Sequence, residues 1–450
     1  MRRVVVVGGG LAGIAAALDC ARNGAAVTLL ESRGRLGGAA YSFERDGITA
    51  DNGQHVFLRC CTAYRELLEQ IGASEMVTLQ PRLSIPVLAP GGRTARLRRS
   101  GLPAPLHLAG SLVRYPFLGV AQRVSLARAM NSLREVDPDD PAADARSFGD
   151  WLSEHGQAEA AVEAIWELIA RPTLNLRVGD ASLAQAAYVF QEGLLHDPAA
   201  GDLGYARVPL GEIHDVAARR ALGEAGVEVR LRLGVSAIVP DADGFRVEIS
   251  GAPTQTADSV ILAVQHHRAV RLLPPASGVN CAQLARLGTS PIVNLHVVYD
   301  RQVLPLPFAA GVRTPVQWVF DRTEGAPLER GQYLAVSLSA ADAELDMTVD
   351  DLRSRFIPAL SALLPAARDA HVEEFFVTRE HAATFRAAPG SRALRPKART
   401  AIPGLVLAGT WTDTGWPATM EGAVRSGRAA AREALATPSR RPEPRTAVAV

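Results

Sequence analysis

The sequence predicts an α/β protein of two domains, one of them assembled from separated stretches of chain, and three observations predict it. A β-branched run, Val4–Val7, leads straight into glycines and then an Ala-rich stretch. A short apolar run at Leu405–Ala408 precedes a segment whose small residues recur every three or four positions. Between them, residues 226–264 carry a cluster of alternating apolar segments. At 450 residues, and at ~150 residues per domain, the chain is long enough for a large core. Its 48% hydrophobic and 21% charged residues exclude a disordered or collagen-like protein.

Other classes fall away quickly. With 48 basic and 47 acidic residues the net charge is +1, so nucleic acid finds no electrostatic footprint. Lys397 is the single lysine, and no P-loop ending in GK[ST] occurs. The four cysteines, Cys20, Cys60, Cys61 and Cys281, show no CxxC spacing, and no HExxH occurs; no metal site is expected. The glycines at 8–10 interrupt what would otherwise look like a signal peptide, and no run of ~18 apolar residues is present. A reducing cytoplasmic setting is the expectation.

The N-terminal unit reads strand, G-x-G-x-x-G, helix, strand, acid. Val4–Val7 suits a strand buried on both faces. Gly8 permits the tight turn, Gly10 lets backbone approach a pyrophosphate, and Gly13 lets the helix pack on the strand. Leu11 and Ala12 lie within this glycine loop, and the N-terminus of the helix after it offers free N–H groups and a dipole end to phosphate. Ile14–Asn23 is Ala-rich and forms that helix, Gly24 stops it, and Ala26–Leu30 forms the second strand. Glu31, 18 residues after Gly13, is placed to accept from ribose hydroxyls. Together these parts predict a Rossmann-like dinucleotide site.

The remaining elements follow in order. Arg33-Gly34-Arg35-Leu36-Gly37-Gly38-Ala39 sets arginines beside a second glycine pair; it is either a second phosphate-contacting loop or a basic surface loop. Gly226–Leu231 and Val235–Val239 read as strands, Phe245–Ile249 pairs as a hairpin across Asp243-Gly244, and Ala257–Val264 returns as a buried strand. Gly409 and Thr410 follow the strand Leu405–Ala408. The helix from Met420 through Glu421, Gly422 and Ala423 then presents a small-residue stripe that permits close backbone approach. Of the two inserts, the first contains an apolar stretch at 102–118. Prolines 103, 105 and 116 argue against one long helix there, and with Arg98, Arg99 and Arg114 it reads either as a lipid-facing patch or as an ordinary helical core. The second insert holds strands at 292–299 and 333–338, and residues 438–450 read as a disordered tail.

The Arg/Gly loop after the acid and the C-terminal strand–helix pair resemble the two-motif flavoproteins: amine oxidases, protoporphyrinogen oxidases and carotenoid desaturases. Asp51-Asn52-Gly53-Gln54-His55-Val56, the RPTLN segment at 171–175 and the TGWPATMEGAVRSG terminus narrow this. They resemble the squalene-associated branch of the phytoene-desaturase-like family, the hydroxysqualene dehydroxylases, from Val4 to about Ala434. The resemblance implies FAD. It would be held by Gly8, Gly10, Leu11, Ala12, Gly13, Glu31, Ser32, Arg33, Arg35, Gly37, Gly38, Ala39, Gln54, His55, Val235, Gly409, Thr410, Met420, Glu421, Gly422 and Ala423. Those families carry an acid directly after the strand–turn glycine; here Thr410 stands there and Asp413 lies three residues on. A thioether to a C-terminal cysteine is excluded, because none follows Cys281. The FAD domain is expected at 1–80, 206–266 and 397–437, and an α+β substrate domain at 81–205 and 267–396.

The implied reaction is reductive removal of the hydroxyl of hydroxysqualene to give squalene, in squalene and hopanoid synthesis. It needs an acid for the leaving oxygen, and His55 is the candidate; the alternatives are a hydrogen bond from His55 to a backbone or flavin carbonyl, or a water as acid. Arg171 and Asn175 either line the same cavity or serve as surface and capping residues. The expected partners are an isoprenoid hydrocarbon in an apolar tunnel and the surface of a membrane, on its inner face. Two other readings stand beside this one: a phytoene-type desaturase or amine oxidase running hydride the other way, and a non-redox prenyl-lipid carrier.

Overall fold

The computed structural model describes residues 1–326 and 328–437; the tail expected at 438–450 lies outside them. Five parallel strands form the first sheet, in the order Glu228–Arg230, Ala26–Leu30, Arg3–Val7, Ser259–Leu262, Leu405–Leu407. Arg3–Val7 is central, which is why four successive valines suit it. Val4 and Val6 join the core shared with the helix Leu11–Arg22, and Val5 and Val7 join the core shared with Phe245 and Val247. The helix Met420–Ala436 packs on the same side as Leu11–Arg22.

The other face of the sheet is covered by a three-stranded antiparallel meander, Val235–Asp241, Gly244–Ile249 and Ala252–Ala257. Its hairpin turns where the sequence predicts. Its third strand, APTQTA, is mostly polar and shows no apolar signal. That strand takes Ala257, so the buried parallel strand is shorter than expected, Ser259–Leu262.

Both inserts build one mixed sheet of seven strands. Its order is Val372–Thr384, Ser290–Tyr299, Gln332–Ser339, Trp318–Asp321, Phe308–Gly311, Ser84–Ala89 and Arg93–Arg98. The first insert's hairpin, Ser84–Ala89 with Arg93–Arg98, joins through a parallel pairing to Phe308–Gly311. Most of its remainder is helical, with a fully buried cluster of Phe148, Trp166 and Phe190. The proline-rich stretch breaks as expected into a single turn, Leu106–Leu108, and a short helix, Ala109–Val113.

Candidate functional site

Two glycine loops meet backbone to backbone above the central strand. Gly8 has φ +109° and donates to Leu30 O at 2.8 Å; a Cβ on Gly13 would stand 1.9 Å from Gly8 O. No side chain larger than hydrogen fits there, so the helix Leu11–Arg22 rests directly on the turn. Gly10 caps that helix without a capping side chain, and a Cβ on Gly10 would meet only Gly38 Cα, at 3.7 Å. The first-turn N–H groups therefore lack a side-chain acceptor, the arrangement an anion completes. Gly37 N–H donates to Gly9 O at 2.9 Å, and Gly37 and Gly38 both have positive φ, which glycine alone adopts freely.

Glu31 braces both loops. Its buried carboxylate accepts from Gly9 N–H at 2.7 Å and Arg33 N–H at 2.7 Å, with Ser32 Oγ at 3.1 Å. Arg232 N–H donates to Arg33 O and Leu233 N–H to Glu31 O, so the stretch leading to Val235 lies alongside. Arg35 Nη1 donates to Leu36 O and Gly38 O, both at 3.2 Å, and its guanidinium stacks 3.4 Å from the centroid of the Tyr41 ring. Ala39 O accepts from Asn52 Nδ2 at 2.9 Å.

The C-terminal elements close on the same place. A Cβ on Gly427 would lie 2.1 Å from Ala12 O, so the two helices touch through backbone. Gly409, at φ +130°, donates to Ser426 Oγ at 2.8 Å. The buried Arg395 guanidinium donates to the carbonyls of Thr410 (3.1 Å), Thr412 (2.6 Å) and Trp416 (2.8 Å); burial pushes its pKa down to about 10, which leaves it charged. Thr419 caps the helix by accepting from Gly422 N–H at 3.2 Å, and Met420 and Ala423 follow in its first turn. Both oxygens of Glu421 are committed elsewhere: they accept from Ala63 N–H (3.1 Å), Tyr64 N–H (2.7 Å) and Arg425 (2.6 Å). Its side chain thus serves the start of the helix Thr62–Gln70. Among the described residues, the Asp413 side chain accepts only from Gly415 N–H within its own loop, at 3.4 Å.

The DNGQH turn is anchored from below. Asp51 pairs with Arg322 at 2.8 Å and accepts from Ser42 Oγ and Leu210 N–H. Asn52 bonds Tyr41, Ala39 and Glu380, and its carbonyl accepts from Asn294 Nδ2 at 2.8 Å and from Thr378 Oγ1 at 3.2 Å. Above the turn, Gln54 Nε2 and Asn294 Oδ1 are buried without a partner. Burial lowers the pKa of His55 against the opposing pull of Asp51, so the ring is predominantly neutral at pH 7. The space beside it, lined by Gln54, His55, Tyr205, Phe320 and Arg322 among others, is about 20 Å³, room for one water. Tyr205, Phe308, Trp318 and Phe320 pack ring against ring there, so the long apolar tunnel expected from the sequence is not open at this turn.

RPTLN is a clasp rather than a cavity wall. Asn175 is the left-handed cap of its helix and bonds Ser290 O, Thr384 Oγ1 and Ala340 N–H; Arg171 donates to Ser339 O and Ala340 O. Sequence reasoning missed Asn294, Glu380 and Arg395. Asn294 carried one signal, the lone amide in a mostly apolar strand.

These residues fit an FAD. There is an uncapped helix start behind open glycine backbone, a buried acid beside it, and, among the described residues, buried amide atoms of Gln54 and Asn294 without a partner. Residues 11–435 match the family described as flavin containing amine oxidoreductase, and the chain belongs to that family. It is an FAD-dependent oxidoreductase, which sets aside the carrier reading. Hydroxysqualene dehydroxylase of Rhodopseudomonas palustris is 29% identical over 443 residues, covering 97% of this chain and 99% of that one. Zeta-carotene desaturase of Synechocystis is 24% identical, covering 97% and 98%. A solved putrescine oxidase shares the fold at TM-score 0.72 and 20% identity, over 97% of this chain and 99% of its own. No helix among the described residues is long and apolar enough to cross a membrane.

Proposed function

We propose that this flavin-containing amine oxidoreductase removes the hydroxyl of hydroxysqualene reductively, releasing squalene and water as reduced flavin becomes oxidised. The observation that carries the reading is the DNGQH turn, tied down by Asp51 and Asn52, which sets His55 on a small cavity beside an aromatic wall and, among the described residues, leaves Gln54 Nε2 buried without a partner. Full-length likeness to a hydroxysqualene dehydroxylase supports it. Reduced FAD, when bound, supplies the hydride. The cradle of Gly8, Gly10, Gly13, Glu31 to Arg33, Gly37 and Gly38 holds the dinucleotide, with Val235 at the adenine end. Gly409, Thr410 and the helix start at Met420–Ala423 hold the ring end. His55 delivers the proton to the leaving oxygen, and Gln54 Nε2 donates to that oxygen and fixes its place. Tyr205, Trp318 and Phe320 exclude water from the allylic carbon.

In this proposal residues 1–80, 206–266 and 397–437 form the cofactor half, residues 81–205 and 267–396 the substrate half, and the protein works from the cytoplasmic surface of a membrane, where its substrate dissolves. Anaerobic mixing of the photoreduced enzyme with hydroxysqualene tests the reading. Squalene should form in step with flavin reoxidation, one for one. No squalene, with desaturation of zeta-carotene by the oxidised enzyme, would establish the rival that the carotene-desaturase likeness favours.

A further inference from the structure

Away from the glycine cradle, a groove of about 480 Å³ runs along the inserted hairpin, lined by Gln80, Pro81, Arg82, Ser84, Arg96 and Arg98. Half of its lining is arginine, all three exposed, and none of the described residues lining it is a carboxylate. Arg96 and Arg98 are two apart on one strand and so project from the same face, across from Pro86 and Ser84. Among the described residues, the Arg96 side chain donates to the Ser84 hydroxyl alone, at 3.0 Å. The neighbouring Arg59 and Arg99 both pair with the one buried carboxylate of Asp202, which offsets half of their charge. Three converging cations without a counter-charge leave a place for an anion. Guanidinium forks match phosphate oxygens.

The groove does not stand alone. Nine large hydrophobic side chains are exposed among the described residues, and five of them, Leu102, Leu106, Val113, Val120 and Val124, fall within residues 102–124. That segment is fastened to the arginine strand: Ser111 Oγ accepts from Arg98 N–H at 2.9 Å and donates to Arg98 O at 2.6 Å. The short helix Ala109–Val113 therefore lies on the edge that carries Arg98. Arginine charge and exposed apolar side chains thus lie on adjoining segments, on a chain whose net charge is only +1.

We propose that this rim docks on a bilayer of anionic phospholipid. Headgroup phosphates enter the Arg82/Arg96/Arg98 groove, and Leu102, Leu106 and Val113 reach the upper acyl region. Either contact alone gives marginal binding; charge and apolar insertion together hold a protein on a surface. The proposal deepens the membrane-surface part of the function proposed above and rests on it. It makes headgroup charge the determinant of where the enzyme meets its substrate.

Vesicle flotation of the full, flavin-loaded chain tests it, with phosphatidylcholine alone or mixed with phosphatidylglycerol, at low and high salt. The unaltered protein should float with the mixed vesicles and lose them as salt screens the groove. Each arginine near the surface is worth about fivefold, so Arg96→Glu with Arg98→Glu should weaken binding at least about 25-fold. Leu106→Ser with Val113→Ser should also weaken it, while Val216→Ser, exposed elsewhere, should not. Arg82→Gln with Arg98→Gln serves if charge reversal disturbs folding, judged by flavin absorbance. Equal binding to neutral vesicles, no flotation, or flotation indifferent to the arginines would overturn the proposal. So would inorganic diphosphate filling the groove while vesicles are ignored, or a dimer of this chain that the same changes split. Turnover of hydroxysqualene in detergent reads out the reaction separately: its absence beside intact flotation defeats the proposed reaction alone, and the reverse defeats the docking alone.

Discussion

Gly427→Ala probes the contact through which the C-terminal helix supports the cofactor cleft. A Cβ at Gly427 would stand 2.1 Å from Ala12 O, 2.9 Å from Ala12 C and 3.1 Å from Ala12 Cα. Carbon and carbonyl oxygen settle at about 3.3 Å or more, so the helices must part by roughly 1 Å. The obstacle is backbone and cannot rotate aside. In an open helix the same change would gain about 1 kcal/mol. Here overpacking costs about 1–3 kcal/mol and strikes the helix turn that opens behind Gly10. We expect net destabilisation of about 1–2 kcal/mol and weaker flavin retention, about tenfold for each 1.4 kcal/mol that reaches the cleft. Thermal unfolding and flavin absorbance after gel filtration read both effects. Gly223→Ala is the matched control, in a helix where a Cβ meets nothing within 4 Å; it should be neutral or stabilising. A Gly427→Ala protein as stable as the original, with a full complement of flavin, would refute the reasoning.

Other outcomes follow from the same geometry. His55→Ala should cut turnover about 100-fold and leave flavin bound; because burial holds the His55 pKa below the usual imidazole value, the rate should still be rising as pH falls past 6.5 and level off only at lower pH. His214 and His296 are both pushed down to about 3 by burial, so the unfolded chain binds protons that the fold refuses. Stability should be full above about pH 6.5 and fall as pH drops toward 3, measured as the urea midpoint, with a shallower slope for His296→Gln. Arg395→Met strips three carbonyls of their donor and should loosen flavin at the ring end with little change in secondary structure by circular dichroism. Asp202→Asn leaves Arg59 and Arg99 unpaired and should cost on the order of 3 kcal/mol in denaturant unfolding.

The parts of the fold legible in the chain were those whose physics is local. Val4–Val7, Gly8, Gly10, Gly13 and Ala26–Leu30 announce themselves through propensity and steric need, and the strand limits at 26–30 match residue for residue. The seven-stranded sheet was half visible. Ser290–Tyr299 and Gln332–Ser339 are apolar runs, but Val372–Thr384 alternates with charges at its exposed edge, and Arg93–Arg98 is nearly all polar because one face meets solvent. The roles of Arg171 and Asn175 could not be chosen from sequence, since a cap and a cavity wall use the same residue types. Glu421 was legible as part of the cleft-facing helix, yet its partners, Ala63 and Tyr64, sit some 357 positions away along the chain.

The sequence by itself determined that two glycine loops and an acid would open the chain and that a small-residue helix would close it. Those residues are forced by backbone sterics within a few positions. Only the tertiary structure decided what surrounds them. It laid Gly427 on Ala12, turned Glu421 away from the cleft, hung Asn294 over the DNGQH turn, and placed Arg82, Arg96 and Arg98 around one groove. Each of these depends on distant segments arriving side by side, and the free energy that selects them is burial spread over the whole core, which no single stretch of chain records.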